Sequence, residues 1–466
     1  MKKKDNLGAT IDSGAQDWQI FQQGRDGTAD IVLTGRWKTR EPYKMAAVLA
    51  RIVYEDSCES VSPALDWVPA TTRKNGTWTL RLRGVPVGGL YRIETMLQLN
   101  GGPVEWAQRG DLVHHVGVGD VWVITGQSNA AGYGKSPATD APEMGVHMFH
   151  ADGSWKLAAH PLGDSTGTLY SANREGANAS HSPWLAFART LKARLGYPIG
   201  LIPASLGGSP VKSWDRTEDG YLFSNMLSYI ADAGGGVRGV VWYQGESDTG
   251  VRELKLYKGR FRRFVADLRK TMKDRTLPVI TCQLNRFINI NTHTDADAAW
   301  ERMREIQRQL ARSMSNVFIV ATVDLGLSDG IHTDSQGNIV IGERAASCAL
   351  GGVYGFDVKY RHPDCVSAKL VKSKQIDLAF DHVDHRLHYD GQVRSERPFA
   401  VRDEIGDIPI DAICVKAPSR IELTLSRKPQ RNCRVVGAPT ISPARILPFD
   451  IRGYRPMLAF TMKVTP

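Results

Sequence analysis

The chain has 466 residues, of which 42% are apolar, and a formal charge of +10 at neutral pH. That length is too great for one ordinary core and implies roughly two to four domains; the Lys and Arg residues are scattered, which argues against a nucleic-acid partner. No run approaches the ~18 apolar residues of a membrane span, which argues against a membrane protein.

The opening MKKKDNLGATIDSG is basic and then polar, with no apolar stretch behind it, so residues 1–15 read as a disordered tail. No export signal is expected there, which places the protein in the cytoplasm unless a signal was trimmed. From 16 to 116, β runs such as DIVLTGRW, MAAVLARIVYE, GTWTLRLRGV and GLYRIETMLQL are broken by turn residues. Without a capped helical period, they predict an antiparallel β-sandwich.

From 117 to 355 the pattern changes. Strand-like runs VWVIT, PIGLIPAS, VRGVVWYQ, LPVITCQL and NVFIVATV alternate with helical segments starting at Pro183 and Ala298. In the second helix, Trp300, Met303, Ile306, Leu310 and Met314 recur at helical spacing, as core residues would. This alternation predicts a parallel sheet covered on both faces. From 356 to 466, SAKLVKSKQIDLAFDHV, RIELTLSRK and RPMLAFTMKV return to β character. The six cysteines (58, 282, 348, 365, 414, 433) have no ligand spacing and read as free thiols.

The stretch VWVITGQSNAAGYGKS, 121–136, holds two competing chemistries. A phosphate-binding loop needs a glycine where Asn129 stands and a helix where Pro137 and Pro142 stand, so Lys135 and Ser136 do not qualify. A nucleophile reading needs a serine at a sharp turn off a strand end; Gly126 allows the turn and Ser128 follows it. Ala130 takes the place of the second glycine of the GxSxG elbow. Three further polar loops lie just past later strands: LGGSPVKSW (206–214), QGESD (244–248) and DLGLSDGIHTD (324–334). Each alone is ordinary turn chemistry, but all fall at the edge where a parallel sheet binds ligands.

Together, GQSNA at 126–130, GGSPVKSW at 207–214, QGESD at 244–248 and DGIHTD at 329–334 resemble the four blocks of SGNH hydrolases, within the sialate O-acetylesterase and carbohydrate-esterase family 6 group. Ala130 departs from that group's usual Met, and the resemblance continues through GVGDVWVITGQSN, VVWYQGESD, the segment from Ile331 to Gly355 and PFAVRD near residue 400. It implies a three-layer α/β/α, flavodoxin-like parallel sheet between the N-terminal β-sandwich and a C-terminal β-rich region. It also implies a carboxylic ester hydrolase working through an acetyl-enzyme, without a cofactor or metal. Ser128 would be the nucleophile, His332 the general base and then acid, and Asp329 the carboxylate orienting it. Asp324, eight residues before His332, is the rival acid.

The implied oxyanion hole combines the Ser128 and Gly208 amides with a side-chain donor. SGNH enzymes use Asn for that donor, whereas this chain offers Gln244 and Glu246; a neutral amide can donate and a carboxylate would repel, so Gln244 is assigned. Glu246 then organises the loop or accepts from a sugar hydroxyl. Asn129 ties the nucleophile loop to its neighbours or contacts substrate, and Trp214 stacks on a sugar or packs in the core. In DHVDHRLHYD (381–390), a strand would turn His385 away from His382 and His388, so no metal is expected. The expected partner is an O-acetylated carbohydrate. Acetylated sialic acid and acetylxylan both remain open, with the positive charge leaning to an anionic sugar; a noncatalytic carbohydrate-binding protein is the alternative from another class.

Overall fold

A single 19-residue strand, Gln108–Gly126, organises the molecule. The computed structural model describes residues 7–138, 140–175, 179–288, 295–390 and 397–466. The strand's first half pairs antiparallel with Gly88–Leu99, and its second half lies parallel between Ile199–Pro203 and Gly239–Tyr243. The boundary expected near 116 therefore falls inside one continuous strand.

The parallel sheet runs in the order Val146–Phe149, Ile199–Pro203, Gln108–Gly126, Gly239–Tyr243, Val279–Cys282, Val317–Val320. All five expected strands are present. The sixth, Val146–Phe149, is obscured in the sequence by His147 at its second position. Chain order reverses at Gln108–Gly126, which makes the carboxyl end of that strand the natural crevice for a ligand.

Pleating sends alternate residues to opposite faces. Val121, Val123, Val240 and Trp242 pack with helices α3 (Tyr221–Asp232), α4 (Val251–Thr271) and α5 (Asp295–Ser313). Trp122, Ile124, Val241 and Tyr243 pack with α2 (Trp184–Leu195) and α6 (Ser335–Gly352). Helix α2 starts after Pro183 and stops at left-handed Gly196, as a proline entry and glycine exit dictate. Of the expected α5 stripe, Trp300, Met303, Ile306 and Leu310 are in the core, with Met314 packed beside them. The class is thus mixed α/β.

Two β regions flank this sheet. On the N-terminal side, Gly8–Ser13, Thr28–Lys38, Thr77–Pro86 and Thr71–Thr72 form one sheet. Its apolar face shares a cluster with Ala46–Tyr54 and Gly88–Leu99, including Leu33, Trp78, Ile52 and Ile93. The expected tail needs correction: Gly8–Ser13 is a strand bonded to Thr28–Lys38, with Ala9 and Ile11 buried, while residues 1–6 lie outside the described residues. Its alternation is too short to stand out in the sequence.

On the C-terminal side, an eight-stranded sheet runs Gly406–Ile408, Phe399–Asp403, Arg434–Gly437, Phe460–Thr465, Asp364–Lys372, Gln375–Asp381, Arg420–Leu425, Ile410–Ala417. Arg304 of α5 fastens this region to the central sheet. Fully buried, it donates to the carbonyls of Leu284 (2.9 Å) and Asn285 (3.0 Å) and to those of Thr440 (2.6 Å) and Ile441 (3.1 Å). Each buried acceptor left unsatisfied costs about 1–3 kcal/mol. Arg304→Ala is therefore expected to lower unfolding free energy by more than about 3 kcal/mol in urea titrations; an unchanged midpoint would show that the two regions do not depend on this staple.

Candidate active site

The site begins with a tight exit from the organising strand. Gly126 has φ +123°, and a Cβ there would lie 2.1 Å from the Tyr243 carbonyl oxygen, so only glycine permits this approach. Gln127 N donates back to Tyr243 O at 2.9 Å, and the chain then makes one helical turn, α1, Ser128–Ala131. Ser128 is half-buried at the start of that turn, where backbone N–H groups have no intrahelical partner. Ala130 is 1% exposed in the core under α2, and its carbonyl accepts from the Trp184 indole at 2.8 Å.

Asn129 joins this turn to two other loops. Its Oδ1 accepts from Thr333 N (3.0 Å), and its Nδ2 donates to Ile331 O (3.3 Å) and Glu246 Oε1 (2.6 Å). Thr333 and Ile331 are the two neighbours of His332, so the amide beside Ser128 grips the backbone on both sides of that histidine. The Nδ1 of His332 lies 2.8 Å from Asp329 Oδ2, while Asp329 Oδ1 accepts from the backbone N–H of Ile331 (2.9 Å) and of His332 (2.8 Å). Burial pushes the Asp329 carboxyl up, but the His332 ring and those amides outweigh it and hold it below its ordinary value. The rival Asp324 is occupied elsewhere, paired through both oxygens with Arg344 at 2.9 and 2.7 Å.

Gly208 has φ +68°, and nothing lies within 4 Å of where its Cβ would be, so its backbone borders open space. Its loop is tied to the turn through Leu206 N to Gly126 O (3.1 Å), and Ser247 Oγ donates to Gly208 O (3.1 Å). Block residues Ser128, Gly208, Asp329 and His332 thus sit on loops bonded directly to one another.

Gln244 does not join them as expected. It is fully buried, and its amide donates to Asp248 Oδ2 (2.5 Å), with Gln127 Oε1 (3.2 Å) and Ser209 O (3.3 Å) also in reach, so no hydrogen is left for an oxyanion. Trp214 is also corrected: it is 0% exposed, with ring contacts to Trp242 and Phe264 at 5.4 and 6.0 Å, and cannot stack on a sugar. Asn129, at 3% exposure with both ends of its amide used, is a loop tie rather than a substrate contact. Glu246, at 9%, gives Oε1 to Asn129; its Oε2 is buried with no partner among the described residues. It organises the loop and is not placed to receive a sugar hydroxyl. Spacing alone does not reveal which side chains of a polar loop turn inward.

Several residues at the site escaped sequence reasoning. Gln127 Oε1 accepts from Gly245 N (3.4 Å) and Ser247 N (3.2 Å), pinning the 244–248 loop. The Tyr133 ring stacks on His332 (centroids 4.9 Å apart, 24° between planes), and Tyr133 OH donates to Glu175 Oε2 at 2.6 Å. Glu175 Oε1 accepts from Gly207 N at 2.7 Å. Tyr133 stands five residues after Ser128 and could have been suspected; Glu175 lies in a polar stretch without a motif. Lys135, set aside with the phosphate-loop reading, is exposed, with Nζ 3.8 Å from Asp329 Oδ2.

Among the described residues, one group has the makings of a metal site: Asp140, His160 and His181, with ligand atoms within 4.8 Å of one another. Its chemistry is that of an ion-pair network. Arg189 already pairs with Asp140 at 2.7 Å, and His160 Nδ1 accepts from Ser182 N (3.4 Å), which leaves its Nε2 as the donor to Asp140 Oδ2 (3.2 Å). The 381–390 histidines form no such group among the described residues.

Residues 118–351, half of the chain, match the family described as carbohydrate esterase, sialic acid-specific acetylesterase. The chain belongs to that family. It is 27% identical over 253 residues to a probable carbohydrate esterase of Arabidopsis thaliana, an alignment spanning 49% of this chain and 90% of that one. It is 25% identical over 313 residues to the sialate O-acetylesterase of Homo sapiens, spanning 55% of this chain and 56% of that one, so it matches little more than half the length of that relative. In structure it is similar to a carbohydrate acetylesterase from Xanthomonas citri, with TM-score 0.68, 21% identity and coverage of 97% of this chain and 99% of that one; at that identity the likeness speaks for the fold.

The buried Glu246 makes a pH-dependent prediction. Desolvation raises its carboxyl above the ordinary value, outweighing the Asn129 hydrogen bond. A raised folded-state value means the fold favours the neutral acid, so this contribution to stability is full below the ordinary glutamate range and is lost as pH rises through the folded value. Glu246→Gln keeps an oxygen for Asn129 and removes the titration. Denaturation at several pH values is expected to show the variant gaining on the wild type as pH rises from about 4 to 8, with no gain at the acid end; parallel profiles would contradict it.

Proposed function

We propose that the chain is a serine O-acetylesterase acting on acetylated carbohydrate, with Ser128 as nucleophile, His332 as general base and then acid, and Asp329 orienting His332. The observation that carries this reading is the Asn129 amide, which ties the residue after Ser128 to both backbone neighbours of a histidine already bonded to a carboxylate. With Nδ1 of His332 engaged by Asp329, Nε2 is the nitrogen left to take the serine proton. Attack on an acetyl ester gives a tetrahedral oxyanion, which the Ser128 and Gly208 amides would stabilise in this reading. His332 returns its proton to the departing sugar oxygen. His332 then takes a proton from water as it attacks the acetyl carbon, and passes it to Ser128 Oγ as the Ser128–acyl bond breaks and acetate leaves.

Family membership supports an ester of a carbohydrate as substrate. Among sugars, acetylated sialic acid is the leading class and acetylxylan the alternative; the +10 charge favours the anionic sugar. The proposed framework is a three-layer α/β/α SGNH core over 117–355, an N-terminal β-sandwich to about 116 and a C-terminal β domain from 356. The two helix-covered faces of the parallel sheet support it.

The test is hydrolysis of a small aryl acetate and acetate release from a panel of O-acetyl sialic acids and acetylxylan. Ser128→Ala and His332→Ala are each expected to lose at least about 10³-fold in kcat with an unchanged fold. Equal inertness of wild type and Ser128→Ala alongside retained sugar binding would instead identify a carbohydrate-binding protein.

A further inference from the structure

Glu175 bridges two loops of the site that neither contain it nor touch it in sequence. One of its oxygens accepts from Tyr133 OH, the other from Gly207 N. Tyr133 belongs to the segment leaving α1, is 8% exposed, and lies flat against the His332 ring. Gly207 precedes Gly208, and a Cβ at 207 would come within 2.9 Å of Glu175 Oε2 and 3.2 Å of Tyr133 OH. Three groups are thus packed so closely that moving one displaces the others.

We infer that Glu175 is a positioning residue, which sets the Gly207–Gly208 amides and the ring behind His332 in one fixed relation. This rests on the reading of Ser128, Gly208 and His332 given above. A carboxylate suits the role because it has two acceptor oxygens diverging from one carbon and no donor of its own, matching an O–H on one side and an N–H on the other. The arrangement acts on the transition state more than on bound substrate, since the oxyanion exists only after attack. Loss of Glu175 should then appear in kcat and leave KM nearly unchanged.

The experiment compares Glu175→Ala, Glu175→Gln, Tyr133→Phe and the Tyr133→Phe/Glu175→Ala double variant with the full-length wild type. Aryl acetate kinetics are paired with amide hydrogen exchange across residues 205–210. Glu175→Ala is expected to lower kcat about 10–100-fold, with KM within about two-fold, and to speed exchange in that segment. Glu175→Gln, which keeps an oxygen for Gly207 N and offers Tyr133 an N–H, should restore most of both. The double variant should be no worse than the poorer single one, as for two ends of one chain of contacts. Unchanged kcat in Glu175→Ala, or a fall in kcat that Glu175→Gln fails to rescue and that tracks lost thermal stability, overturns the inference. If Ser128→Ala, run alongside, is as active as wild type, the reading of the site fails instead, and hydrogen exchange still judges the Glu175 tether by itself.

Discussion

One side-chain amide, that of Asn129, holds the site together. It spends its oxygen on the His332 loop and its nitrogen on both that loop and the 244–248 loop, and is itself buried. A buried amide is costly to leave unpaired, so these loops are stable only in the arrangement that satisfies it. The strand-end glycine makes this possible. Gly126 brings the chain against Tyr243 more closely than any side chain would allow, and Asn129 is thereby carried across to the neighbouring loops.

The periodicity of the sequence was enough to read the framework. The parallel strands, the α5 stripe and the return to β structure after the central region each follow from spacing that burial requires. Where two demands shared one segment, or the segment was short, the reading failed. Val146–Phe149 carries His147 within a buried strand, and Gly8–Ser13 is too short to show alternation. Gln108–Gly126 pairs antiparallel at one end and parallel at the other within one continuous sheet, so the boundary read near 116 falls inside a single strand.

In the site, motif residues were legible and their orientations were not. Asp329 and His332 stand three apart in a turn, a spacing that lets the carboxylate meet both the ring and the local amides. Gln244 and Trp214 bear the right chemical groups for substrate, yet the core claims them: Asp248 draws in the amide, and Trp242 and Phe264 enclose the indole. Glu175 is the opposite case, a residue without a motif whose importance arises only because folding sets Tyr133 and Gly207 on either side of it.

A serine esterase must carry its acyl group on the enzyme for part of each cycle. The most direct measurement is therefore rapid acid quench during turnover of an isotopically labelled acetyl ester, followed by peptide mass spectrometry. The expected result is one labelled acetyl group on Ser128, formed and lost at rates consistent with turnover. Steady acetate release with no label on Ser128, or label retained on another residue, would contradict the account.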